Sequence, residues 1–210
     1  MKRPRRICVT LVVFAWALSF LGIVPLNSAA ENWKTLRNDK YNICIQYPAA
    51  RFMVFAGASG DGVSIVPKGL AQRARPLPWP DPYPGFGFGG WIVQPKGLSE
   101  PDIAGPTRPR TLQEDYEELL QAARDQWHLR HIKIVRKKRI YTQGLPALDV
   151  AIEFNYGASG TTWYYREMLV HTPNDSEAYH VSLVCQVSEL KNLLPVYEKM
   201  AASFRLHCQK

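Results

Sequence analysis

Apolar and polar side chains alternate strictly in three consecutive segments between Gly144 and Val187. In the first segment the apolar row consists of Leu148, Val150, Ile152, Phe154 and Tyr156. This two-residue period is typical of a β-strand that buries one face. Residues 157–160 and 173–176 separate the segments and are rich in residues that favour turns. The pattern therefore predicts an antiparallel meander of three strands.

Two further segments have the 3.6-residue period of amphipathic helices. The first opens at Thr111, where Glu114 completes a capping-box sequence three residues later. The second follows Val187, and we expect its regular part to begin at Pro195, because a helix tolerates proline best in its first turn. Short strands are predicted at 41–47, 52–55, 63–67, 90–94 and 132–141. Together these elements predict an α+β fold in which helices cover an antiparallel sheet.

A segment at about 68–110 departs from the composition of a packed domain. Ten prolines fall between Pro67 and Pro109, and every second residue from Pro76 to Pro84 is proline, which favours the polyproline II conformation. Five aromatic residues punctuate this segment: Trp79, Tyr83, Phe86, Phe88 and Trp91. We interpret it as a long surface loop. Its aromatic side chains either fold back onto the domain or form a platform that binds a partner.

Residues 1–30 have the layout of a secretory signal peptide. Basic residues precede an apolar run at 7–24, and the small residues Ser28, Ala29 and Ala30 follow it. We expect cleavage before Glu31; the alternative is an uncleaved anchor, because the apolar run is nearly long enough to span a bilayer. Residues 31–210 then form a single domain, periplasmic or secreted, in which we expect no further membrane-spanning segment.

The net charge is modest once the signal peptide is removed. The signal carries four basic and no acidic residues, so the formal charge falls from +8 to +4. This charge is compatible with an anionic surface but does not indicate nucleic acid. The basic run 136–139 is predicted on a strand. Arg136 and Lys138 therefore point to one face of the strand, and Lys137 and Arg139 point to the other. We interpret it as a solvated edge strand, with contact to anionic lipid or polymer as the sharper hypothesis.

Three cysteines remain after residue 30, namely Cys44, Cys185 and Cys208. Export permits one disulfide among them and leaves one thiol over. Because Cys185 falls in the apolar row of its strand, it is expected to act as a small hydrophobic residue. We rank a Cys44–Cys208 bridge first, a Cys185–Cys208 bridge second and no bridge third.

Histidines provide the main candidates for catalytic or metal chemistry. His128 and His131 lie where the first helix is predicted to end, a position that suits histidine through the helix dipole alone. His171 and His180 flank one turn and face each other across strands or, as we prefer, are two solvated rings. No zinc-binding spacing, hydrolase triad or phosphate-binding loop accompanies them, so no cofactor is predicted. A metal-dependent enzyme that uses either histidine pair is the alternative function.

Three short motifs lie along the chain: Trp33 followed by a strand that ends in Tyr47-Pro48, the sequence Gly-Leu-Pro-Ala at 144–147, and Ser203-Phe204 after the last helix. Together they resemble the PsbP-like superfamily, whose fold is shared with the Ran-binding Mog proteins. Asn42 departs from the family pattern, which has glycine there. The resemblance covers most of residues 33–205 and implies an α/β/α sandwich around a central antiparallel sheet. It also implies an exported accessory protein that acts by binding.

The sequence therefore predicts an exported, non-catalytic binding or accessory protein of the cell envelope. Its partner is expected to be an unidentified protein or envelope component. The candidate contact residues are those of the aromatic segment together with two basic residues: Trp79, Tyr83, Phe86, Phe88, Trp91, Arg136 and Lys138.

Overall fold

A computed structural model describes residues 31–56, 61–71, 84–92, 111–125, 129–156, 160–172 and 176–208. Residues 32–210 belong to one compact unit. The predicted signal peptide and most of the proline-rich segment lie outside the described residues.

The described residues contain ten strands and three helices. In chain order these are β1 (Trp33–Asn38), β2 (Ile43–Pro48), β3 (Phe52–Ala56), β4 (Gly62–Pro67), α1 (Lys68–Ala71), β5 (Gly85–Ile92), α2 (Leu112–Asp125), β6 (Arg130–Thr142), β7 (Leu145–Asn155), β8 (Thr162–His171), β9 (Glu177–Gln186), α3 (Leu190–Ala202) and β10 (Arg205–Leu206). A 3₁₀ turn, Val187–Glu189, leads into α3.

Seven strands form one antiparallel sheet in the order β3-β4-β5-β9-β8-β7-β6. Strands β7, β8 and β9 are the meander that the alternating pattern predicts, and this prediction is confirmed. A second sheet has the order β1-β2-β10. Strand β1 was not predicted, because its sequence lacks an alternating apolar row. Strand β5 begins at Gly85 rather than at Gly90, so part of the predicted loop is a strand in the sheet.

Each face of the large sheet is covered by other elements. Helix α3 and the small sheet cover one face, where Ile43, Phe88 and Tyr197 belong to one buried cluster. Helix α2 covers part of the other face, where Tyr116 and Leu120 pack with residues of β7. The large sheet thus lies between two layers, and the predicted α/β/α sandwich is confirmed.

Of the two main helices, α2 begins where the sequence predicts and α3 begins earlier. At α2 the Glu114 amide donates to Thr111 Oγ1 at 3.3 Å, and the Thr111 amide donates to Glu114 Oε2 at 3.0 Å, as in a capping box. Helix α3 begins at Leu190 with Pro195 in its interior, so the predicted start at Pro195 is wrong. Pro195 has no backbone N–H, so the carbonyl of Lys191 lacks the donor of its helical hydrogen bond. Both residues are exposed, so water can bond that carbonyl while the opposite side of α3 packs on the sheet.

Candidate functional site

A groove of about 240 Å³ lies between β6 and α3. Its walls come from the end of β6 and the last two turns of α3, and its floor comes from β7 and β8. The lining residues are Ile140, Tyr141, Thr142, Asp149, Arg166, Met168, Tyr197, Glu198, Ala201 and Ala202. Apolar side chains and a set of charged groups therefore share one concave surface, which is the usual composition of a binding site.

The charged groups on the floor form one connected network. Arg166 donates from Nε and Nη2 to the two carboxylate oxygens of Asp149, both at 2.9 Å, and from Nη1 to Glu198 Oε1 at 3.0 Å. Arg136 Nε donates to Asp149 Oδ2 at 2.5 Å. The sheet register explains this arrangement, because Asp149 opposes Met168 and Arg166 lies two residues before Met168 on the same face. Neighbouring strands thus bring an acid and a base together.

Both central charges of this network are buried and stay ionised near neutral pH. Asp149 and Arg166 are 3% and 9% exposed. Burial opposes ionisation of Asp149, but hydrogen bonds from Arg166 and Arg136 outweigh it and lower the pKa of that carboxyl. Burial likewise opposes the charge on Arg166, but the hydrogen bond to Asp149 outweighs it and raises the pKa of the guanidinium. Asp149 and Arg166 therefore form a fixed, mutually neutralised pair, and neither changes its charge near neutral pH.

Tyr197 fixes the guanidinium from the α3 side. The Arg166 guanidinium carbon lies 5.1 Å from the centroid of the Tyr197 ring, a cation–π contact. The Tyr197 hydroxyl donates to the carbonyl of Val181 at 3.3 Å, and burial raises the pKa of this phenol well above its usual range. These contacts hold the floor of the groove rigid.

A second group of polar residues lies on the opposite face of the large sheet. His171 is fully buried, and its Nε2 lies 2.8 Å from Asp115 Oδ2 on α2. His180 Nδ1 lies 3.0 Å from Glu167 Oε1, and about a quarter of the His180 side chain is exposed. Both rings point to the same face, since His180 opposes Leu169 and His171 opposes Ala178. The preference for two solvated rings is thus wrong for His171.

The other predicted histidine pair is not assembled into a site by the described residues. His131 lies on exposed β6 with a backbone φ of 52°, and His128 lies outside the described residues. Within the ranges that the structure describes, no group of three or more histidine, cysteine, aspartate or glutamate side chains is placed to hold a metal ion.

Two of the five aromatic residues proposed as a platform are buried in the core. Phe86 and Phe88 are 3% and 0% exposed and belong to the core beneath α3 and the small sheet, so their prediction as contact residues is wrong. Their alternation with glycine on β5 sends both rings to the same buried face. Trp79 and Tyr83 lie outside the described residues, as does the side chain of Trp91, whose backbone is part of β5.

The two predicted basic residues occupy the same face of β6. Arg136 opposes Ala151 and Lys138 opposes Asp149 in the register with β7. Arg136 joins the network of the groove, whereas Lys138 is exposed. Sequence reasoning missed Asp149 and Arg166 themselves. The available signal was that each is a charged residue beside apolar or aromatic residues in a long strand, Asp149 between Leu148 and Val150 and Arg166 after two tyrosines.

Glycines of β5 leave room for side chains of β9. A Cβ added to Gly87 would overlap Ser182 Oγ. A Cβ added to Gly89 would lie 2.7 Å from the Cα of Gly62 and 3.2 Å from His180 Nε2. The glycines thus allow β5 to lie close to β4 and β9 and leave room for the polar side chains of β9.

We predict that Gly87→Ala lowers the free energy of unfolding by about 1–3 kcal/mol, because the new methyl group must displace the Ser182 hydroxyl. Urea denaturation measures the change. Gly69→Ala is the matched control, since nothing lies within 4 Å of its added Cβ. The double variant Gly87→Ala, Ser182→Ala should lose less than the sum of its two single changes, by more than about 0.5 kcal/mol. Strict additivity would contradict the overlap.

Cys44 and Cys208 form a disulfide, the pairing that the sequence analysis ranks first. The bridge joins the second strand to the end of the chain beside β10, which itself pairs with β2. Cys185 is free and fully buried, and burial raises the pKa of its thiol to about 12. Among the helices that the structure describes, none has the length and apolar character needed to cross a membrane.

The order of the strands and the two covering layers define a PsbP/Mog-like fold, as the sequence motifs suggested. The solved structures that share it include cyanobacterial PsbP (CyanoP) from Synechocystis sp. PCC 6803 and the Ran-binding protein Mog1p from Saccharomyces cerevisiae. CyanoP matches with a TM-score of 0.55 at 10% identity, over 87% of this chain and 99% of its own. Mog1p matches with a TM-score of 0.51 at 10% identity, over 84% of this chain and 96% of its own.

Sequence comparison adds nothing to this structural likeness. No family model matches the chain, and no curated protein matches it. At 10% identity the likeness to CyanoP and Mog1p establishes the fold alone.

Proposed function

We propose that this protein is an exported, non-catalytic binding or accessory module of the cell envelope, periplasmic or secreted. Two observations support export. The N-terminal thirty residues have the pattern of a signal peptide. The Cys44–Cys208 disulfide is of a kind that persists in oxidising compartments.

The groove between β6 and α3 is the proposed binding site, and its internally neutralised floor is the observation that carries the proposal. Asp149 is bonded by two arginines, and Arg166 is bonded by two carboxylates. Such a floor provides shape and fixed dipoles, which serve recognition. Acid–base catalysis instead requires a group whose pKa lies near the working pH, and the lowered pKa of Asp149 and the raised pKa of Arg166 move both groups away from it.

A protein or envelope component is the proposed partner. Mog1p, which has the same fold, is described as a Ran-binding protein, so this fold supports a protein-binding surface in at least one case. The groove combines the apolar side chains of Ile140 in its wall and Met168 on its floor with charged groups, which suits a side chain of a partner better than a free ion.

Co-purification from the native envelope tests this function. Wild-type bait should retain a partner, and Ala202→Arg, which places a long side chain in the groove, should retain at least about tenfold less. Asn192→Arg is the matched control, since it adds the same charge to the same helix at an exposed position that does not line the groove. Equal retention by both variants would reject the groove as the binding site.

Two further measurements test the remaining parts of the proposal. The mass of the exported protein should correspond to a chain that starts at Glu31, and a full-length mass would contradict cleavage.

Metal analysis of the purified protein addresses the alternative of a metal-dependent enzyme. Zinc or copper at one equivalent per chain would overturn the non-catalytic assignment.

A further inference from the structure

Strand β6 is the most exposed strand of the large sheet. Ten of its thirteen residues are exposed and none is buried, whereas seven of the eleven residues of neighbouring β7 are buried. It is the last strand of the sheet, and among the described residues only β7 pairs with it. Its outer backbone N–H and C=O groups therefore face away from the sheet, as in any edge strand.

The second half of β6 is regular enough to accept another strand. Two register shifts interrupt its pairing with β7, one between Arg130 and Lys133 and one between Ile134 and Arg136. From Arg136 to Thr142 the register continues without interruption. Bulges are a common device that prevents a strand from pairing at its edge, and this half of β6 has none.

Basic residues dominate the same strand. Six of its side chains are lysine or arginine and none is acidic. Two of the six are paired with carboxylates of β7, as Lys133–Glu153 and Arg136–Asp149. Lys137 lies over the ring of Tyr116 at 4.4 Å. Lys138 and Arg139 are exposed, and no carboxylate of the described residues lies within ion-pair distance of either.

These charges select what can pair with β6. A second copy of β6 would bring like charges into opposition, which is destabilising. An acidic strand would bring opposite charges together along the same seven residues. The charges therefore block self-association of this edge and favour an acidic partner.

The distribution of the charges favours a protein segment over a membrane surface. Lys138 opposes Asp149 and Arg139 opposes Leu148, so these neighbouring cations point to opposite faces of the sheet. A flat anionic surface meets only one of them, whereas an extended chain at the edge lies beside both. Within residues 136–142 the ring of Tyr141, at 80% exposure, offers a further contact to a strand.

We propose that β6 binds an extended acidic segment of a partner protein by strand addition, with residues 136–142 as the pairing site. The inference rests on the proposed binding function and specifies its partner. The occupant adds an eighth strand, its backbone hydrogen-bonds to the outer edge of β6, and its carboxylates lie beside Lys138 and Arg139. The groove begins at the same end of β6, with Ile140 and Thr142 in its wall.

A synthetic peptide of about eight residues, in which glutamate alternates with valine and threonine, is the probe. Fluorescence anisotropy measures its affinity, and amide hydrogen exchange detects pairing. We expect binding that weakens with salt, together with slower exchange confined to residues 136–142. Lys138→Glu, Arg139→Glu should weaken binding at least about tenfold, because both reversed side chains would repel the peptide. Lys34→Glu, Lys191→Glu is the matched control at exposed sites on β1 and α3 and should bind as wild type does.

A second form of the peptide separates strand addition from charge attraction. N-methylation of alternate amides removes the backbone donors and keeps the charge, so its binding should fall below detection. Equal binding of the methylated peptide, or protection spread beyond β6, would overturn the proposal. Preferential binding to vesicles that contain phosphatidylglycerol, with no binding of the peptide, would overturn it in favour of a membrane surface.

The same variants distinguish this inference from the proposed function. If the Lys138→Glu, Arg139→Glu bait retains its envelope partner as well as wild type does, strand addition at β6 is wrong while the binding function stands. If wild type retains no partner but binds the acidic peptide as described, the envelope assignment fails and the specificity of β6 stands.

Discussion

Replacing Arg166 by methionine is expected to lower the free energy of unfolding by about 3–5 kcal/mol. The change removes the two hydrogen bonds at 2.9 Å that hold Asp149 and leaves that carboxylate buried with Arg136 as its remaining cation. Water does not reach the buried carboxylate to take the place of the lost guanidinium. Nearly the whole cost of desolvating that carboxylate therefore appears as lost stability.

Urea denaturation at pH 7 measures this effect, and two variants control it. Arg136→Met removes the partner whose side chain is 41% exposed and leaves the two-pronged Arg166 contact, so a loss below about 1 kcal/mol is expected. Asp149→Leu, Arg166→Met removes both buried charges and should cost less than Arg166→Met alone. If Arg136→Met proved as damaging as Arg166→Met, the arrangement described for the groove would be incorrect.

The pH dependence of the same variant follows from the lowered pKa of Asp149. Because the folded protein binds this proton less tightly than the unfolded chain, the stability that the ionised carboxylate supplies is complete above the unfolded pKa of about 3.9. It is lost as the pH falls through the lower folded pKa. The difference between wild type and Arg166→Met should therefore shrink as the pH falls below about 4, where the wild-type contribution is lost.

Loss of the Cys44–Cys208 disulfide is expected to cost about 2–5 kcal/mol. The bridge joins residues 164 positions apart, so it removes much of the conformational entropy of the unfolded chain. The upper end of the range is the loss expected from the entropy of closing so long a loop. It also fastens β10 to β2, a pairing that covers only two residues and supplies little stability by itself.

Denaturation of wild type with and without dithiothreitol measures the disulfide, and Cys208→Ser should reproduce the reduced protein without any reductant. Cys185→Ala is the control, because Cys185 is a free thiol at the centre of the core. That variant should remain as sensitive to reductant as wild type is. A wild-type midpoint that dithiothreitol leaves unchanged would contradict a stabilising bridge.

Candidate chemistry was harder to predict than the fold, and particular residues show why. The alternation on β7 marked Leu148 and Val150 as buried, and they are, but it also suggested that Asp149 faces solvent. Asp149 is buried because α3 covers the other face of the sheet, which a two-residue period cannot reveal. Phe86 and Phe88 show the same kind of error, since exposure was expected and both are buried. The proline and glycine content of their segment predicts a loop, whereas β5 is an interior strand of the sheet, between β4 and β9.

Local sequence by itself determined many of the elements of this protein, although not β1 or the full length of β5. Periodicity predicts the three-strand meander, the capped helix at Thr111 and the α+β sandwich. It does so because apolar residues recur at the spacing that places them on the buried face of a strand or helix. Only the tertiary structure decided which charges meet. Asp149, Arg166 and Glu198 lie on three different elements, and strand register and helix docking bring them into contact. The basic run at 136–139 predicted that β6 is an edge strand, and the sheet order confirms this prediction; only tertiary packing decided that β7 is the strand beside it.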